Sequence, residues 1–166
     1  SADPPKEIRR TQRIRRGDPQ EIYTTGDGEV IFTKYSPVGE LSSVTTQYVD
    51  ALSKSFALTA FVCDRDRILA ASGAGRRDLV DRSVSQPLEK LMDSRKLYAN
   101  DGDPEKALLP CEGAQRALLC VCPIIAAGDV TGAVGLLTED RAAQPDAAQE
   151  KAAAVAAAFL AKQMEE

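Results

Sequence analysis

Six basic side chains fall within eleven residues near the start of the chain. They are Lys6, Arg9, Arg10, Arg13, Arg15 and Arg16, with Glu7 the single acid among them. Lysine and arginine displace counterions from a phosphate backbone, so a cluster of this size gives salt-dependent affinity for double-stranded DNA. The alternative is a solvated helix face. The charge distribution favours an anionic partner at this end. The whole chain carries −4, but its first 39 residues hold seven Lys and Arg against six Asp and Glu, a net +1, which leaves −5 for the remainder.

Thiols are the second group with chemical potential. The chain has four cysteines and no histidine. Without imidazole, Ser–His and Cys–His catalysis are excluded, and so are zinc sites with histidine ligands. Cys120 and Cys122 stand two apart in a strand-like run and so share one face. With Cys63 and Cys111 they complete a donor set that zinc accepts, but no CxxC pair is present. Free cysteine is among the most buried residue types. Core packing is therefore the expectation, with no metal site, and Cys111, beside Pro110 in a loop, is the one thiol expected to be exposed. No nucleophile stands next to an activating base, so an enzyme is not expected. Reduced thiols, no basic-then-apolar leader, and no apolar run near the roughly 18 residues of a membrane span point to a cytoplasmic protein.

These residues must be positioned by elements that the pattern makes legible. Residues 6–13 read as a short helix after Pro4 and Pro5. Residues 21–24 and 29–33 read as two strands, and Gly26-Asp27-Gly28 between them is a hairpin signal. Pro37-Val38-Gly39 is a short joint. Over residues 40–56, Leu41, Val44, Tyr48, Leu52 and Phe56 form one apolar stripe at helical spacing, suited to the domain's own sheet or to a helix of another subunit. Two strands follow over 58–63 and 68–71, then a polar connection over 75–82. Ser85 is placed to cap a helix with Pro87 in its first turn and Leu88, Leu91 and Met92 inside. Residues 100–105 read as a loop. Residues 115–125, apolar on both faces, read as a central strand, with 130–138 returning after Ala126-Ala127-Gly128-Asp129. Pro145 and Asp146 open an alanine-rich helix to about Met164, with Val155, Phe159 and Leu160 as its larger contacts.

The N-terminal pattern PKEIRR…RI..GD..EIY…GEVI..KY.P resembles the second half of an AbrB-type swapped-hairpin DNA-binding domain. With VCDRDRILAASG, the P-I-x-A-x-G-D-x-x-G-A-V run and the closing A-A-x-F-L-A-K-Q-M-E, the chain as a whole resembles the stage V sporulation protein T (SpoVT) family, in which such a module precedes a GAF domain. The resemblance implies an α+β fold. A truncated swapped-hairpin β-rich module over 1–37 precedes a GAF-like antiparallel sheet flanked by helices over 40–166. It implies a cytoplasmic, nucleoid-associated transcriptional regulator of sporulation that binds double-stranded DNA through Lys6, Arg9, Arg10, Arg13, Arg15 and Arg16. Arg9 and Arg10 match the family's paired arginines.

In that family the helices beside the GAF core associate across subunits, which implies a homo-oligomer, dimer or tetramer, with 40–56 and 145–164 as the matching segments. A GAF fold holds a small ligand between its sheet and its long connections, here 73–84 and 98–115. No cofactor is implied beyond such an unidentified small molecule. Arg76 and Arg77 are either surface residues, the favoured reading, or contacts for an anionic group on it, and Ser72 and Cys111 are further candidates. Gln12 and Gln20 stand where the family usually has leucine. That departure supports an alternative, a ligand-binding and assembly GAF module whose DNA-binding half is not functional.

Overall fold

Strand-forming residues pair with each other in the first of two units. There β1 (Gln20–Thr24) pairs antiparallel with β2 (Val30–Lys34), setting Ile22 opposite Phe32 and Thr24 opposite Val30. The computed structural model describes residues 20–24, 30–34 and 36–165, and for the two strands it describes the backbone alone. The helix expected over 6–13, the turn at 26–28 and all six basic residues of the N-terminal cluster lie outside the described residues. The units divide as Ser1–Pro37 and Val38–Glu166.

The second unit is built on a five-stranded antiparallel sheet in the order β4-β3-β7-β6-β5. Its strands are β3 (Thr59–Asp64), β4 (Ile68–Ser72), β5 (Tyr98–Ala99), β6 (Ala117–Ala126) and β7 (Asp129–Thr138). Helices α1 (Ser42–Phe56) and α3 (Ala147–Glu165) cover one face, and α2 (Gln86–Ser94) with the long connections covers the other. The sheet therefore separates two cores. Alternation along each strand sorts the side chains between them. Ala60, Val62, Val134 and Leu136 go to the α1/α3 side, and Phe61, Cys63, Ala133 and Leu137 to the α2 side. In β6 a bulge between Leu118 and Cys120 resets the alternation, so Leu119 and Cys120 both reach the α1/α3 core.

Two glycines are required by close approach. A Cβ on Gly132 would overlap the Cys63 carbonyl oxygen of the neighbouring strand, and one on Gly135 would meet the Phe61 ring at 2.5 Å. The sheet closes over these positions only because nothing projects from them. At the β6–β7 turn Ala127 and Gly128 both have positive φ, the twist that lets a two-residue hairpin follow the strands. Helix α2 starts as expected from its sequence. The Ser85 hydroxyl accepts from the Leu88 amide at 3.1 Å and donates to the Leu109 carbonyl at 2.6 Å. Leu88 and Met92 are buried and Leu91 packs at the edge of the same core.

Both outer helices differ from the expectation in which face they bury. In α1 the inner positions are Thr45, Val49, Leu52 and Ser53. Leu41, Val44, Tyr48 and Phe56 of the expected stripe sit at its margin, partly buried. In α3 the buried residues are Ala153, Ala156, Ala157, Leu160 and Ala161, while Val155 and Phe159 are 51% and 39% exposed. Small side chains let α3 lie close against the broad, apolar strands β6 and β7. Side-chain size alone does not mark an inner face when the facing surface has no room for it.

Candidate functional site

The two long connections meet beside the sheet and enclose a cleft of about 140 Å³. One wall is the connection after β4, with Gly75, Asp78, Leu79 and Arg82, and its short 3-10 turn Arg76–Asp78. The other wall is the stretch before β6, with Gly113, Ala114, Gln115 and Arg116, and Leu137 of β7 closes the floor. Gly75 and Gly113 both take left-handed backbone conformations, φ 78° and 79°, which turn each connection back over the sheet.

Two guanidiniums dominate its electrostatics. Arg116 donates to the Glu139 carboxylate at 2.6 Å, and its side chain is 18% exposed. Arg82 donates to two backbone carbonyls, Asp78 at 3.3 Å and Glu112 at 2.5 Å, and so ties one wall to the other. Neither arginine belonged to the expected set. Both lay within or next to the connections expected to hold a ligand. The signal that could have found them is pairing across the cleft, one arginine and one glycine from each wall, which has no counterpart in linear spacing.

The four residues expected to contact a ligand are not brought together. Arg76 and Arg77 are exposed on the 3-10 turn beside the cleft. Ser72 is buried on the α1 side of the sheet, where its hydroxyl donates to Asp50 at 3.0 Å. Lys54, then Ser72, holds the Asp50 carboxyl below its ordinary pKa, with a smaller contribution from Arg76. Cys111 lies in the other core with Leu79, Val84 and Leu88 and is 1% exposed. The expectation that Cys111 is the exposed thiol is therefore corrected. The Ser85 amide donates to the neighbouring Pro110 carbonyl and folds the loop inward. Cys122 is the partly exposed one.

The sheet also separates the thiols. Cys63 and Cys111 are on the α2 side, Cys120 and Cys122 on the α1/α3 side. Among the described residues no group of three or more Cys, Asp or Glu is placed to share a metal ion. Burial drives the Cys63 thiol far above its ordinary range, pushes Cys120 up to about 12, and raises Cys111 and Cys122. A protonated, enclosed thiol is a poor nucleophile and a poor metal ligand.

A sheet of this order, with helices on both faces and a cleft under two long connections, is the architecture of GAF domains. The second unit superposes on the GAF domain of an Acinetobacter phosphoenolpyruvate-protein phosphotransferase with a TM-score of 0.61 at 13% identity, covering 77% of this chain and 87% of that one. It superposes on the cofactor-binding GAF domain of the nutrient sensor CodY from Clostridium difficile with a TM-score of 0.54 at 13% identity, covering 72% and 83%. At such identity the likeness shows the fold. The family is shown by sequence. Residues 40–165 match the model of the stage V sporulation protein T C-terminal transcription-factor family. The chain is 41% identical over 162 residues to stage V sporulation protein T of Bacillus subtilis (strain 168), covering 98% of this chain and 90% of that protein. The chain belongs to the stage V sporulation protein T family of transcription factors. No helix among the described residues is long and apolar enough to cross a membrane.

Proposed function

We propose that this chain is a DNA-binding transcriptional regulator of sporulation, residing with the nucleoid in the cytoplasm, whose second unit senses a small molecule and joins copies of the chain. In this reading residues 1–37 are a partial AbrB-type swapped-hairpin module. It meets double-stranded DNA through Lys6, Arg9, Arg10, Arg13, Arg15 and Arg16. Residues 40–166 are the sensory GAF domain. The observation that carries the reading is the 41% identity to the Bacillus subtilis protein, which reaches through both units. The basic cluster adds to it, because it is a local positive charge on an otherwise acidic chain.

The other parts have their own supports. Two five-residue strands bury too little to stand alone, which favours strands lent by a second copy. On the second unit the Tyr48 and Phe159 rings pack at a 40° tilt with centroids 5.5 Å apart at the outer seam of α1 and α3, next to exposed Val155. Such a patch favours helix pairing in a homodimer or homotetramer. The cleft supports sensing. A ligand acts on DNA binding only by binding two arrangements of the chain with different affinity.

A gel-retardation titration at low and moderate salt tests the reading. The logarithm of the affinity falls linearly with the logarithm of salt, by about 0.9 for each phosphate neutralised. Replacing Arg9 and Arg10 together by alanine lowers that slope by about two. If no duplex is retarded in a salt-dependent way, the regulator reading fails. The chain is then a ligand-binding and assembly module, the reading that Gln12 and Gln20 favour.

A further inference from the structure

We infer that the cleft between the two long connections binds a small organic acid as a carboxylate monoanion, held by the Arg82 guanidinium over an apolar floor. The inference rests on the sensory reading above and names the chemical class it takes.

The two walls are built reciprocally. Arg116 of one wall lies against Gly75 of the other, its Nη1 only 2.6 Å from where a Cβ on Gly75 would stand. Arg82 lies against Gly113, its Nη2 3.7 Å from the corresponding point. Gly75 leaves the space that the Arg116 guanidinium occupies, whereas a Cβ on Gly113 would meet Arg82 only at ordinary contact distance. The two arginines are otherwise unlike. Arg116 is neutralised by Glu139. Among the described residues Arg82 has no carboxylate partner; the Asp78 and Glu112 carbonyls fix its position without cancelling its charge. A guanidinium has five N–H donors in a rigid fork, and those of Arg82 not spent on the two carbonyls make no hydrogen bond among the described residues.

The lining selects the rest of the ligand. Arg116 is spent on Glu139 and Asp78 also lines the cleft, so among the described residues Arg82 is the one guanidinium there with donors left for an anion, which matches a single carboxylate and not a phosphate dianion. Leu79 and Leu137, both buried, offer an apolar floor for a short hydrocarbon body. A cleft of about 140 Å³ holds a small metabolite.

Butyrate and its uncharged isostere butyramide separate the possibilities. Methyl resonances of Leu79 and Leu137 in the full chain are followed by NMR at constant ionic strength with sodium chloride as the balancing salt. Butyrate is expected to shift both saturably and butyramide to shift neither. Arg82→Gln weakens butyrate binding roughly tenfold or more, the worth of a charge-assisted hydrogen bond. Should that variant fail to fold, Arg82→Lys keeps the charge, loses the fork, and must still bind more weakly than the parent. Equal responses to butyrate and butyramide, unchanged in the Arg82 variant, overturn the carboxylate assignment but leave the cleft as a ligand site. No saturable response to either compound overturns the inference and removes this cleft from the sensory reading, while DNA retardation is measured apart from both.

Discussion

Cysteine side chains carry the clearest consequence at the residue scale. Cys63 and Cys120 are fully buried, and their thiols hold their protons far above the ordinary value near 8.5. A folded-state pKa above the unfolded one means that the folded chain binds the proton more tightly. The associated stability is complete below the ordinary thiol range and is lost as pH rises toward the raised values. Urea midpoints should therefore hold steady to about pH 8 and then fall, each such thiol contributing up to about 1.4 kcal/mol per pH unit. Cys120→Ala should flatten that alkaline slope, and an unchanged slope would show that the thiols do not set it. Gly132 makes a second point at this scale. Gly132→Ala places a methyl group on the Cys63 carbonyl oxygen, a backbone atom in the middle of the sheet. The variant should lose roughly 3 kcal/mol or fail to fold, read as a loss of the cooperative denaturation transition.

Among the elements, α2 shows how a cap does two jobs. The Ser85 hydroxyl satisfies the Leu88 amide and also pins the loop before Cys111 through the Leu109 carbonyl. Ser85→Ala should cost about 1–2 kcal/mol, more than an isolated cap loss at the low end of its range, because a second partner is stranded. Ser85→Thr, which keeps the hydroxyl, should recover most of it in the same denaturation experiment. This cap was readable because its geometry is local, spanning Ser85 to Leu88 with Pro87 in the first turn. The inner faces of α1 and α3 were not, because neither is settled within the helix. What faces α3 is β6 and β7, and their packed apolar surface admits alanine and turns Val155 and Phe159 outward.

At the scale of the whole molecule, the outward-facing Phe159 and Val155 bear on assembly. Phe159→Asp removes apolar surface from a position 39% exposed in the single chain and absent from the buried α3 face. Losing the Tyr48 ring contact should lower its denaturation midpoint by about 0.5–1.5 kcal/mol while leaving the chain folded. In sedimentation velocity it should shift toward a smaller species if α1 and α3 join copies of the chain. An unchanged species would place the assembly surface elsewhere.

Periodicity, turn residues and charge order are properties of neighbours along the chain. On them alone rested the order of strands and helices, the joint near Pro37, the β1 and β2 strands, the α2 cap and the positive cluster. The family resemblance was readable for the same reason, since its motifs are runs of adjacent residues. Which face of α1 and α3 is buried, that Cys111 is enclosed, and that the sheet divides the thiols two and two were decided by tertiary packing. So was the cleft. Arg82 and Arg116 stand far apart in sequence and oppose each other only because two connections of unrelated spacing fold over the same strand, with Gly75 of one leaving the space that Arg116 of the other fills.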